Sequence, residues 1–318
     1  FGGGTPSLLS KPELDKVFEM LHKNYRIPAD AEITFETNPD DVNSGVLSEW
    51  RSLGINRLSL GVQSFYEEDL QWMNRAHTSG QALRSIAQVQ DAGFDNLTID
   101  LIYGSPGLTD SKWQHNVTEA LELKIPHLSC YALTVEPQTA LDKMIASKKS
   151  PPVHTEDQAR QFLLLMDWLS DAGYEHYEIS NFALPGMHSR HNSAYWAGVP
   201  YLGLGPSAHS YNGVTRQWNV ANNPKYITAL KNDQVPFEIE ELSEDNRHNE
   251  FVMINLRTAK GISRSEFVKQ FGVKAEKEMS FELQQFIDSG KVEMADDRFV
   301  LTREGKLFAD GISAALFR

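Results

Sequence analysis

A run of three glycines and four scattered polar side chains carry most of the chemistry in the first hundred residues. Gly2-Gly3-Gly4-Thr5-Pro6 stands ahead of a helical stretch. Glycine lets a ligand approach the main chain closely because no Cβ intervenes, and amides at a helix start favour negative charge. Glu36 and Gln63 fall where apolar, β-rich runs end, and Asp100 lies inside one, Leu97-Thr98-Ile99-Asp100-Leu101-Ile102. An acid among Ile and Leu is costly unless it has a partner. Glu, Gln and Asp at one end of successive strands suit recognition of hydroxyls and amines. Arg75, in Met73-Asn74-Arg75-Ala76-His77, suits two-pronged binding of a carboxylate. Each also has a plainer reading: a turn, a satisfied cap or core acid, an exposed arginine at a helix end.

To bring such residues together the chain must alternate strands and helices. Strand-like runs fall at 32–36, 57–62, 97–103, 127–133, 175–179 and 201–204, with helical patterns at 42–53, 81–92, 112–123 and 156–172. Three helices end alike, at Leu53-Gly54-Ile55, Ala92-Gly93-Phe94 and Ala172-Gly173-Tyr174, where glycine takes the left-handed conformation cheaply. The pattern predicts an α/β fold, an incomplete (β/α)6-type barrel short of the eight units that close one. In such a barrel the chemistry sits at the C-terminal ends of the strands, which adds Glu178 and Ser180 to the candidates. Residues 1–221 read as the partial barrel and 222–242, punctuated by Asn222-Asn223-Pro224 and Asp233-Gln234-Val235-Pro236, as a linker. Residues 243–318 read as a mainly helical, winged-helix-like module with a hairpin at 291–301. From residue 238 onward, 12 Lys+Arg face 16 Asp+Glu (12 − 16 = −4), which favours a structural or substrate-covering role over DNA binding.

Composition narrows the classes further. The net charge of −13 argues against a general nucleic-acid surface, and no apolar run is long enough to insert stably in a bilayer. A single cysteine, Cys130, excludes an internal disulfide and a multi-cysteine metal site, and fits a reducing cytoplasm.

Taken together, these residues resemble the radical S-adenosylmethionine (SAM) family. Within it they are similar to the branch of oxygen-independent coproporphyrinogen III oxidase (HemN) and the heme chaperone HemW. The resemblance implies that Gly3, Gly4 and Thr5, in Gly2-Gly3-Gly4-Thr5-Pro6-Ser7, belong to the glycine motif that binds the methionine end of SAM. It implies SAM contacts for Glu36, in Phe35-Glu36-Thr37-Asn38-Pro39, and for Gln63, Arg75 and Asp100. Tyr201 to His209 resembles the last barrel strand and glycine turn, near the same site.

Two stretches look like the chaperone and not the oxidase: Tyr174-Glu175-His176-Tyr177-Glu178-Ile179-Ser180-Asn181-Phe182-Ala183, and His191-Asn192-Ser193-Ala194-Tyr195-Trp196. The second is similar to a His-Asn-x-x-Tyr-Trp heme-binding motif. There His191 would ligate heme iron, and Tyr195 and Trp196 would offer flat apolar surface to the porphyrin. His188 and His209 read as surface or cleft residues.

The family's [4Fe–4S] cluster sits on Cys-x3-Cys-x2-Cys after the first strand, and no such segment is present here; Cys130 reads as a small buried apolar residue. The expectation is a missing N-terminal segment, with cluster ligands outside this chain, or else a homodimer across the exposed sheet edge. The function implied is a chaperone that binds heme and delivers it to acceptor proteins. The alternative is coproporphyrinogen III oxidase, in which a 5′-deoxyadenosyl radical takes hydrogen from propionate side chains.

Overall fold

The computed structural model describes residues 1–318. The chain divides into two compact units, Phe1–Ser189 and Arg190–Arg318.

The first unit runs α1 (Lys11–Asn24), β1 (Thr34–Thr37), α2 (Ser44–Ser52), β2 (Arg57–Gln63), α3 (Glu67–Trp72), α4 (Ser79–Asp91), β3 (Leu97–Tyr103), α5 (Asp110–Glu122), β4 (His127–Ala132), α6 (Ala140–Ala146), α7 (Thr155–Asp171), β5 (Glu175–Glu178) and β6 (Asn181–Ala183). Its single sheet has the order β1-β2-β3-β4-β6-β5. Neighbours from β1 to β4 pair in parallel, and β6 is antiparallel to both β4 and β5. The α/β class holds and the sheet is not closed. The strand read at 175–179 proves to be one arm of a tight hairpin, whose return strand β6 takes the place beside β4.

Helix ends follow the glycine pattern. Gly54, Gly93 and Gly173 have φ of 87°, 76° and 81°. The next residue's amide reaches back to a helix carbonyl, as in Phe94 N–H to Val89 O at 3.2 Å. A fourth helix does the same with lysine: Lys124 has φ 55°, and Ile125 N–H reaches Ala120 O at 3.1 Å.

The sheet has two unlike faces. Phe35, Leu58, Leu60, Ile99, Leu101 and Leu128 point one way and are buried, Phe35 against Trp50 of α2 with ring centroids 4.9 Å apart. The opposite face is polar along its length, with Arg57, Ser59, Thr98, Asp100, His127 and Ser129 in matching register. Polar character therefore reaches well beyond Asp100 and the C-terminal strand ends. In fact Arg57 and His127, the first residues of β2 and β4, are 3% and 0% exposed.

The second unit contains α8 (Arg190–Trp196), β7 (His209–Tyr211), β8 (Thr215–Asn219), α9 (Asn223–Leu230), β9 (Phe237–Glu241), α10 (Glu244–Leu256), β10 (Ile262–Ser263), α11 (Arg264–Asp288), β11 (Val292–Ala295), β12 (Arg298–Leu301) and α12 (Ala309–Ala315). Two antiparallel sheets form, β7-β8-β9 and β10-β12-β11. The anticipated hairpin is β11–β12, and it turns at Asp296 with φ 52°. Gly272, φ 85°, breaks α11 into two helices.

Three readings are corrected here. Residues 222–242 are not a linker: they hold α9, capped by Asn222, and β9, paired along β8. The compact units part at Ser189/Arg190, well before residue 221. Residues 201–204 make no strand, only an isolated bridge from Tyr201 to Tyr211; Gly203 lies against the His209 backbone, whose carbonyl oxygen would be 2.1 Å from a Cβ there.

Candidate functional site

In the first unit the polar residues picked out by sequence do converge. Phe1 brackets β1, donating to Thr34 O at 2.7 Å and accepting from Glu36 N–H at 3.0 Å. That pairing lays the glycines alongside Glu36. Gly3 N–H donates to Glu36 Oε2 at 3.3 Å, and a Cβ on Gly2 would stand 2.3 Å from Glu36 Oε1. A Cβ at Gly2 would therefore push the Glu36 carboxylate aside. The glycines do not sit on the start of α1, however. A short turn, Pro6–Leu8, comes first, and Ser10 caps α1 itself. Gly3 meets a carboxylate of its own chain.

Across the sheet, Gly61 is the floor on which two further candidates meet. A Cβ there would lie 3.1 Å from Gln63 Nε2 and 3.2 Å from Arg75 Nη2. Arg75 Nη2 donates to Asn38 Oδ1 at 2.7 Å and to Gly61 O at 3.3 Å, tying the end of β1 to β2. The rest of its fork makes no hydrogen bond to the protein. Gln63 sits at a bulge in the β2–β3 register with φ 69°, a left-handed conformation uncommon outside glycine.

Asp100 completes the group from β3. Burial pushes its carboxyl up to about 7; the Ser129 hydroxyl opposes this, the Glu36 carboxylate adds to it, and Arg57 and Arg75 counter it. Between about pH 4, where a free aspartate titrates, and pH 7 the folded chain therefore binds more protons than the unfolded one. Stability falls as pH rises through that window. Asp100→Asn removes the slope: relative to wild type it should gain stability with rising pH, by up to about 4 kcal/mol at pH 8, and converge with it toward pH 4. Urea midpoints at pH 4, 6 and 8 check this.

Two functional-looking residues escaped sequence reasoning. His77, 2% exposed, sets its Nε2 3.1 Å from Val62 O, the carbonyl before Gln63. Burial lowers its pKa, so the neutral ring holds the bulge by donating from Nε2. The Arg75-x-His77 spacing was the available signal. His127 is the second. Arg57 donates to Thr98 Oγ1, which lies 3.1 Å from His127 Nδ1, and His127 Nε2 is 2.7 Å from the Tyr177 hydroxyl. Burial holds His127 well below the ordinary histidine range, with Arg57 and His188 adding to the effect. Thr98, accepting from Arg57, gives its proton to Nδ1, and Nε2–H then points to Tyr177.

Glu178 and Ser180 lie at the β5–β6 hairpin. Asn181 Nδ2 bonds Glu178 Oε1, and Ser180 O accepts from Cys130 N–H at 2.7 Å. Cys130 faces the helices, buried, its thiol pushed far up by that burial. One cysteine cannot ligate a [4Fe–4S] cluster, so these residues do not hold one by themselves. The polar group at the strand ends does fit a zwitterionic amino-acid ligand. Glu36 can accept from an ammonium, and the unengaged part of the Arg75 fork can grip a carboxylate.

In the second unit, α8 presents His191 and Tyr195 one turn apart, with ring centroids 4.8 Å apart and edge to face. Both are solvent-exposed. Tyr195 continues to Tyr201 at 4.5 Å and Tyr201 to Tyr211 at 6.0 Å, a line of aromatic rings. Trp196 does not share that face; it lies under the Arg257 guanidinium at 5.8 Å. His188 belongs to the first unit, stacked on Tyr177 at 4.2 Å, and His209 flanks Trp218 at 6.2 Å.

The fold and this polar group define a class. Residues 1–120 match the Radical SAM superfamily, and residues 242–308 match the HemN C-terminal domain. Among solved structures, the coproporphyrinogen III oxidase HemN from Escherichia coli, a radical SAM enzyme, superposes with a TM-score of 0.85. The match covers 99% of this chain and 76% of that one at 24% identity, and shows the fold. Among curated proteins, the heme chaperone HemW of Bacillus subtilis is 32% identical over 316 residues, 99% of this chain and 83% of the relative. The heme chaperone HemW of Escherichia coli is 32% identical over 317 residues, 98% of this chain and 81% of the relative. The chain belongs to the HemW family.

Proposed function

We propose that this protein is a heme chaperone, which takes heme on the His191 face of α8 and passes it to acceptor proteins. The observation that carries the reading is the exposed His191–Tyr195 pair on one helix face. An imidazole for iron and an aromatic edge for the ring are what a protein needs to hold a porphyrin. Trp196 would contribute from the flank, through the stack it forms with Arg257. Heme is the cargo here. The relatives named as heme chaperones favour this reading over the oxidase, whose likeness to this chain is one of fold.

In the first unit, Gly3, Gly4, Thr5, Glu36, Gln63, Arg75 and Asp100 would hold SAM, with Glu36 and Arg75 on the amino and carboxylate groups of its methionine end. Bound beside a [4Fe–4S] cluster, SAM supplies radical chemistry; the cluster's thiolates would come from outside these residues. No helix is long and apolar enough to cross a membrane, and a cytoplasmic site of action fits the single cysteine. Titrating heme into wild type and His191→Ala, followed by the Soret band, tests the proposal. Wild type should bind, and the variant should lose at least about tenfold in affinity, the 1.4 kcal/mol equivalent of a weak iron–imidazole bond. Equal binding by both sinks the assignment.

A further inference from the structure

We propose that the outer edge of β9 is a docking site for a protein partner. The partner would add one strand with lysine or arginine along one face and apolar side chains along the other. This does not depend on the heme reading. β9 is the last strand of its sheet, and all five of its residues, Phe237–Glu241, are exposed. Its hydrogen-bonding phase follows from its two ends. Val220 N–H donates to Pro236 O at 3.0 Å, and Leu242 N–H to Val214 O at 3.0 Å. In an antiparallel ladder the bonded residues alternate, so 236, 238, 240 and 242 face β8. Phe237, Ile239 and Glu241 then aim their N–H and C=O groups outward, a ready template for a further strand.

The side chains say what kind of strand fits. Phe237 and Ile239, 47% and 57% exposed, share one face of the sheet. Glu238 and Glu240 share the other, opposite Trp218 and Arg216 of β8. Arg216 is already engaged with Glu250 at 2.7 Å, so it does not neutralise the two acids. A second copy of β9 laid along this edge would set glutamate against glutamate, which is destabilising. A basic, alternating strand meets both faces.

The probe is a capped hexapeptide of alternating lysine and valine, titrated calorimetrically into the whole chain. Controls are a glutamate–valine hexapeptide and one with three lysines followed by three valines. The lysine–valine alternation should bind, and the controls should bind at least tenfold more weakly. Ile239→Pro removes one outward donor while leaving the β8 ladder and the charge unchanged, and it should weaken binding at least tenfold. The paired change Glu238→Lys with Glu240→Lys should do the same, and covers the case in which the proline variant does not fold. No binding by wild type overturns the proposal, as does equal binding of the blocked lysine peptide or an undiminished affinity in both variants. A dimer of the free chain that disappears in Ile239→Pro would assign the edge to a second copy, and so overturn it too.

Discussion

Replacing Arg75 by alanine is expected to lower SAM affinity about 100-fold, measured by equilibrium dialysis with labelled SAM. The half-buried guanidinium has two duties. Its Nη2 joins Asn38, just past the end of β1, to Gly61 on β2, at 2.7 and 3.3 Å, and the remainder of the fork is the part proposed to meet the SAM carboxylate. Hydrogen bonds to a charged group contribute about 1.5–3 kcal/mol each, and about 2.7 kcal/mol corresponds to 100-fold. Arg75→Lys keeps the charge but loses the planar fork, so it should recover only part of the affinity. An alanine variant that binds SAM like wild type would remove Arg75 from the site.

The second large effect concerns stability. Arg57→Ala should cost about 3–5 kcal/mol, the range for taking one partner from a buried charged set. Burial lowers the Arg57 pKa, while Glu32, 3.9 Å from its Nε, pulls the other way. Without the guanidinium, Glu32 loses its cationic neighbour, and Thr98 loses the donor that orients its proton toward His127. Arg57→Met combined with Glu32→Gln removes charge and partner together and fills the space, so it should be far milder. Urea midpoints of the three proteins decide the matter. If the alanine variant is as stable as wild type, the polar face is not held by this arginine.

Much of the first unit was legible because its signals are local. Glycine at the close of three helices, capping residues and β-rich runs act within a few positions of themselves, and strands β2 and β3 fell within a residue of their expected bounds. The convergence of Glu36, Gln63, Arg75 and Asp100 was legible because they come from successive βα units, whose common direction gathers them at one end. What stayed hidden depends on contacts distant in sequence. The polar face through Arg57, Thr98 and His127 needs three strands in register before any of its residues has a partner. β6 is three residues long, too short for a periodicity. The structured character of 222–242 was hidden by its asparagines and prolines, which cap α9 and open β9 where they looked like punctuation. In α8 the aromatic pair after His191 reads as one patch in sequence, yet successive helix residues point about 100° apart, so Tyr195 and Trp196 separate.

Gln63 shows a conflict between two kinds of selection. Its left-handed backbone, φ 69°, costs on the order of 1–2 kcal/mol for a residue with a Cβ. Glycine would relax the bulge, yet glycine has no amide to send across Gly61 toward Arg75. A search for stabilised variants of this fold would therefore tend to remove the very side chain proposed to meet SAM. If Gln63 holds SAM as proposed, position 63 is where durability and function ask for different residues.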